Sequence, residues 1–96
     1  MLHLVYQSPL QVQLLARISA EDDVIFLSTA CFDLLQNSVF SQQLSAYASP
    51  INCYALVDDL AERGLMSAAL HPAITLISYA EWVELSVKNA TILSWN

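Results

Sequence analysis

The sequence predicts an α/β fold, a mostly parallel sheet of about five strands flanked by helices. Three observations carry this. Short apolar runs alternate with segments of helical period along the whole chain. The run Val24-Ile25-Phe26-Leu27 is apolar without alternation, as a strand covered on both faces requires. Residues that favour helix caps stand where several of the helical segments should begin or end.

Residues 2–6 read as the first strand. Ser8-Pro9-Leu10-Gln11 then supplies an N-cap, a proline at the first helical position and a glutamine at N3. Leu10, Leu14, Leu15 and Ile18 share one face of the helix that follows, which should end near Ser19. Glu21-Asp22-Asp23 reads as a polar turn before the second strand, residues 24–27. From 28 to 49 the periodicity weakens. Phe32, Leu34, Leu35, Val39, Phe40 and Leu44 predict one or two helices, broken at Gln36-Asn37-Ser38.

Pro50 ends that segment and residues 51–56 predict the third strand. Leu56, Val57, Leu60 and Ala61 line one face of the helix that follows. Asp58 and Asp59 suit its positive N-terminal end, Arg63 its last turn, and Gly64 the left-handed C′ position. Residues 74–77 predict the fourth strand. Ser78-Tyr79-Ala80-Glu81 is a capping box that opens a helix through Lys88, with Glu84 and Lys88 spaced for an i,i+4 pair. Residues 91–95 complete the alternation as a fifth strand, with right-handed crossovers expected throughout.

The 96 residues are expected to form one domain, residues 1–96. Apolar residues make up 56% and charged residues 12%, against roughly 25% charged in an ordinary soluble domain. A domain this small buries only about 60 to 65% of the surface its unfolded chain exposes, so apolar surface should remain and call for a partner. A bilayer is not the expected partner, because a spanning helix needs roughly 18 or more consecutive apolar residues and the run at 24–27 is far shorter. The N-terminal residues lack a basic segment, a continuous apolar stretch and a cleavage site, so a cytoplasmic protein with reduced thiols is expected. The net charge of -6 opposes direct contact with nucleic acid.

Known site chemistries find little support. Gly64 is the only glycine, so no phosphate-cradling loop can form, and no G-x-S-x-G occurs. Asp58 and Asp59 are adjacent and diverge on a helix, so they cannot share a substrate. His3, His71, Cys31 and Cys53 lack the paired spacing of a zinc site; neither metal nor cofactor is expected. His71, before Pro72, should be an exposed loop residue, and His3 a hydrogen-bonded core histidine. Cys53, inside a strand, reads as a small buried hydrophobe. Cys31 follows strand two where a helix may begin, a position that lowers a thiol pKa, although burial under Phe32 is the competing expectation. Tyr79 and Trp82 form an aromatic stripe with Val83 that is usually core. Trp95, near the end of the sequence, is harder to bury, and all three aromatics are candidates for a partner interface.

Met1-Leu2-His3, Ser8-Pro9, Tyr54-Ala55-Leu56, Asp59-Leu60 and Arg63-Gly64 together resemble the TusB/DsrH family. Ile74-x-Leu76-Ile77-x-Tyr79, Val83-x-Leu85-x-Val87-Lys88 and Trp95 extend the resemblance over nearly the whole chain, with residues 29–49 matching least. The resemblance implies a Rossmann-like fold of the DsrE/F/H type without a nucleotide site. It also implies membership of a TusBCD-type sulfurtransferase complex, in which TusC-type and TusD-type subunits complete a dimer of heterotrimers. In such a relay a persulfide is held on a cysteine of the TusD-type subunit, and the sulfur ends in 2-thiouridine at the tRNA wobble position. The place comparable to that cysteine lies around Leu56, ahead of Arg63-Gly64, and leucine carries no nucleophile. DsrH-type members of sulfur-oxidising organisms carry a cysteine in the first helix, whereas residues 11–19 contain none, which favours the tRNA branch. The resulting expectation is a non-catalytic structural subunit. The alternatives are a sulfur carrier acting through Cys31 or Cys53, and a self-assembling α/β module unrelated to sulfur.

Overall fold

The structure, a computed structural model, describes residues 1–6, 18, 22–45 and 52–95. Five strands, β1 (Leu2–Val5), β2 (Asp23–Phe26), β3 (Asn52–Leu56), β4 (Ile74–Ile77) and β5 (Ile92–Trp95), form one sheet in the order β4-β3-β2-β1-β5. Every pairing is parallel, as the unalternating run at 24–27 predicts. The expected helix over residues 8–19 lies outside the described residues apart from Ile18, which is buried against the sheet.

Successive strand residues face opposite sides, so the sheet builds two cores at once. Val5, Val24, Phe26, Cys53 and Ala55 face one side with Ala30, Cys31, Leu34, Phe40 and Leu60. Leu2, Leu4, Ile25, Leu56 and Ile77 face the other, where Leu27, Trp82 and Leu85 join them. This division follows from crossover handedness. Steps from β2 to β3 and from β3 to β4 run one way across the sheet, and right-handed connections place their helices on one face. The step from β4 back to β5 runs the opposite way, and the same hand places its helix on the other face.

On the first face, a 3₁₀ segment at Ser28–Leu34 is followed by α1 (Val39–Ser45), with the break falling at Gln36-Asn37-Ser38 as expected. A bridge between Leu35 and Leu70, with the Gln36 amide donating to the carbonyls of Ala68 and Leu70, ties this segment to the 3₁₀ turn Ser67–Ala69. Helix α2 (Val57–Glu62) follows β3 without a loop and packs Leu60 into the first core. Asp58 and Asp59 occupy its first turn, and Arg63 bonds back to the Asp59 carbonyl at 3.1 Å. Gly64 takes φ +67°, and its amide donates to the Ala61 carbonyl, closing the helix.

On the second face, α3 (Tyr79–Lys88) opens with the expected capping box: Glu81 N–H donates to Ser78 Oγ, and Ser78 N–H donates to the Glu81 carboxylate. One expected pair does not form. Lys88 reaches the buried carboxylate of Asp23 at 3.5 Å instead of Glu84. A buried carboxylate leaves a far larger penalty uncompensated than an exposed i,i+4 glutamate would.

A Cβ built at Gly64 meets nothing within 4 Å, so Gly64→Ala isolates the conformational cost of a left-handed residue. Urea unfolding should show a loss of about 1 kcal/mol, within the roughly 1–2 kcal/mol that L-residues incur there.

Candidate functional site

Asp22 and Asp23 stand at the entry to β2, and strand alternation sends them to opposite faces, where each anchors a buried polar cluster. Asp22 accepts from His3 Nε2 at 2.9 Å and from the Met1 ammonium at 3.1 Å. The other His3 nitrogen, Nδ1, accepts from Trp95 Nε1 at 3.1 Å. An indole only donates, so Nδ1 must carry the lone pair and Nε2 the proton. His3 is 1% exposed with both nitrogens committed, which makes it a structural clasp between β1, β2 and β5.

Asp23 lies fully buried on the other face. Its Oδ2 accepts from Asn89 Nδ2 at 3.0 Å and faces Lys88 Nζ, while Oδ1 accepts from the Tyr54 hydroxyl at 3.4 Å. Burial and the adjoining Asp23 carboxylate raise the Tyr54 phenol above its ordinary value and keep it protonated. The spacing reads both aspartates as part of a polar turn, whereas their position at the start of a doubly buried strand leaves each side chain only core or a partner to meet.

Both cysteines are free and buried. Cys31 sits on the 3₁₀ segment, with its Sγ–H donating to the Phe26 carbonyl at 3.5 Å. Burial, followed by the Asp59 carboxylate, outweighs the nearby Arg63 guanidinium and pushes this thiol up to about 11. Burial alone pushes Cys53 up to about 12. The helix start that would activate Cys31 is a 3₁₀ turn whose N-cap, Leu27, offers no side-chain cap. Just before Cys31, Ser28 holds φ +53°, fixed by its amide donating to Asp59 Oδ2 at 3.0 Å and by Arg63 donating to its hydroxyl at 3.3 Å. His71 stands in a loop, as expected, but is half-buried rather than exposed, and its Nδ1 accepts from Ala73 N–H at 3.0 Å. Among the described residues, no three His, Cys, Asp or Glu side chains cluster to hold a metal ion, and no helix is long and apolar enough to cross a membrane.

The three aromatic interface candidates part company. Trp95 is half-buried and Trp82 packs inward beside Leu85. Tyr79 stacks on Trp82 at 5.9 Å and lies 54% exposed. Val83 and Val87 follow it at four-residue intervals, 62% and 82% exposed, so α3 turns an apolar stripe to the outside. A shallow groove of about 210 Å³ between α2 and the β4 edge is likewise apolar, lined by Val57, Leu60, Ala61, Leu65 and Leu76.

Three outcomes follow. At pH 8 the native thiols should react with a thiol reagent roughly 100-fold or more below an ordinary cysteine, and both should become reactive in denaturant. Because both folded values lie above the ordinary 9.0, this contribution to stability is complete below about pH 9 and is lost as pH rises through about 11 and 12; melting at stepped pH should show the decline. Trp95→Phe leaves Nδ1 of buried His3 without its donor and should cost about 1–3 kcal/mol in denaturant unfolding.

Comparison with known proteins bears on this arrangement. The family model described as DsrH like protein matches residues 6–92. Protein TusB of Serratia proteamaculans is 37% identical and protein TusB of Buchnera aphidicola subsp. Baizongia pistaciae 32% identical, each over 99% of this chain and 100% of the relative. The solution structure of protein Tm0979 from Thermotoga maritima superposes with a TM-score of 0.64 over 93% of this chain and 94% of that one, and at 22% identity it shares the fold. A parallel five-stranded sheet, a family match over most of the length and end-to-end similarity to several TusB proteins agree, and the chain belongs to the TusB/DsrH family.

Proposed function

We propose that this chain is a non-catalytic assembly subunit of a TusBCD-type sulfur-relay complex that supports 2-thiolation of the tRNA wobble uridine. Its family membership connects it with sulfur relay. The single observation that supports the assembly role is the state of its thiols: the chain has two cysteines, and each is buried with its pKa raised to about 11 or 12. A persulfide carrier needs a thiolate that a partner's sulfur can reach. Leu56, where the resemblance places the sister subunit's nucleophile, is itself buried at the end of β3. The exposed apolar residues of α3 and of the α2–β4 groove give this subunit a reason to be covered.

One feature favours sulfur carriage through Cys31, namely the Arg63 guanidinium, which pulls that thiol downward against burial. Local opening of the 3₁₀ segment would be needed to use it.

Co-expression with TusC-type and TusD-type proteins should yield one species on a sizing column with the mass of a dimer of heterotrimers; absence of any complex rejects the assembly role. In a strain lacking the native subunit, Cys31→Ser with Cys53→Ser should sustain 2-thiouridine in tRNA at the level of the unaltered chain. Loss of the modification by a variant that still assembles would transfer the sulfur-carrying role to this subunit.

A further inference from the structure

The sequence contains two histidines, the side chains whose charge ordinarily changes near neutral pH. His71 stands ahead of β4, at the sheet edge opposite β5. His3 lies on β1 with both ring nitrogens committed: Nε2–H donates to Asp22 at 2.9 Å, and Nδ1 accepts from the Trp95 indole at 3.1 Å. Both bonds together require the neutral ring. An imidazolium donates from both nitrogens, so a proton on Nδ1 would meet the indole N–H head-on. The Asp22 bond survives that change as a charge-assisted one, whereas the Trp95 bond cannot survive it.

Which group yields depends on how firmly each is held. Among the described residues, two charged groups face this ring: the Asp22 carboxylate, which attracts an imidazolium, and the Met1 ammonium on the same carboxylate, which repels one. The register neighbours of His3, Val24 and Leu93, carry no charge. β1 is buried along its whole length, so His3 has no room to turn away. Trp95 is held more lightly. β5 is an edge strand paired with β1 alone, and none of its residues is fully buried. The strand's last tie is a 3.3 Å bond from Tyr6 N–H to the Trp95 carbonyl. Swinging the half-buried indole outward therefore disturbs far less packing than moving His3 or Asp22.

We propose that His3 is a proton-operated latch on the edge strand: its neutral ring holds Trp95 in place, and protonation at Nδ1 releases the indole and loosens the end of β5 while the rest of the sheet stays folded. The open form binds one proton more than the closed form. Falling pH therefore favours opening, and rising pH restores closure. The latch belongs to the single chain and does not depend on the assembly reading above.

Trp82→Phe leaves Trp95 as the only tryptophan of the full chain. As pH is lowered from about 8 to about 5, Trp95 emission should move to the red and its quenching by acrylamide should rise about twofold or more. The change should be reversible, with far-UV circular dichroism constant. The ring nitrogen resonances of His3, followed by NMR on the same sample, should pass through the same midpoint. His3→Gln in this background keeps one donor and one acceptor but cannot titrate, so the Trp95 response should vanish. His71→Gln should leave the response in place. The latch is overturned if His3 takes up its proton while Trp95 emission and quenching stay constant, or if His3 remains neutral across the whole range. It is equally overturned if the Trp95 transition persists in His3→Gln, or if circular dichroism is lost at the same midpoint, which would make the event global unfolding. Should His3→Gln fail to fold, the paired titration of the His3 ring and Trp95 in the Trp82→Phe chain decides by itself.

Discussion

Crossovers in a parallel sheet share one hand, so the order in which strands are laid down determines which face each helix can cover. Here β2, β3 and β4 are added in one direction from β1, and β5 returns to the opposite side of β1. The connections from β2 to β3 and from β3 to β4 therefore crowd one face, and among the described residues α3 alone follows the reverse step onto the other. The consequence is visible in burial. The first core takes in residues from the 3₁₀ segment, α1 and α2, whereas α3 has no fully buried residue and contributes only Trp82 and Leu85. A lone helix on a sheet face can turn one stripe inward, and its remaining apolar residues have nowhere else to go than the outside.

The same geometry explains the polar interior. β1 and β2 are buried on both faces, so any side chain at the entry to β2 must find a partner or leave a charge uncompensated. Asp22 and Asp23 meet that demand in opposite directions, one through His3 and the Met1 ammonium, the other through Tyr54, Asn89 and Lys88. Each cluster links the start of β2 to a residue from the far end of the chain, since Trp95 holds His3 and Asn89 holds Asp23. The last crossover is thus stitched to the central strands on both faces.

What could be read in the sequence was what is written locally. The unalternating apolar run at 24–27, the Ser78–Glu81 capping box and Gly64 after Arg63 each depend on residues a few positions apart, and each appears as read. The 3₁₀ character of Ser28–Leu34 was not legible, because its apolar residues fit neither period cleanly and its geometry is set by the Asp59 and Arg63 bonds to Ser28. The Trp95–His3 bond spans 92 positions and leaves no local pattern at either end. For the same reason the spacing of Glu84 and Lys88 misled: i,i+4 periodicity registers a neighbour on the helix but not a buried carboxylate across the sheet. Cys31 shows the limit for site residues. Its position after a strand admits both an activated thiol and a buried one, and the choice between them depends on field and exposure, which tertiary burial sets.

Surface composition then carries the functional weight. With 12% charged residues, the chain has few groups with which to solvate itself, and it spends several of them internally: Asp22 and Asp23 are buried, Lys88 reaches Asp23, and Arg63 is drawn to Asp59 and Ser28. Solvation of α3 is left to Glu81, Glu84 and the exposed part of Lys88, flanking a row of apolar residues. A self-sufficient monomer gains nothing from that distribution, since the apolar row costs solubility without stabilising either core. A subunit gains from it, because the surface that a lone helix cannot bury is the one that an assembly can.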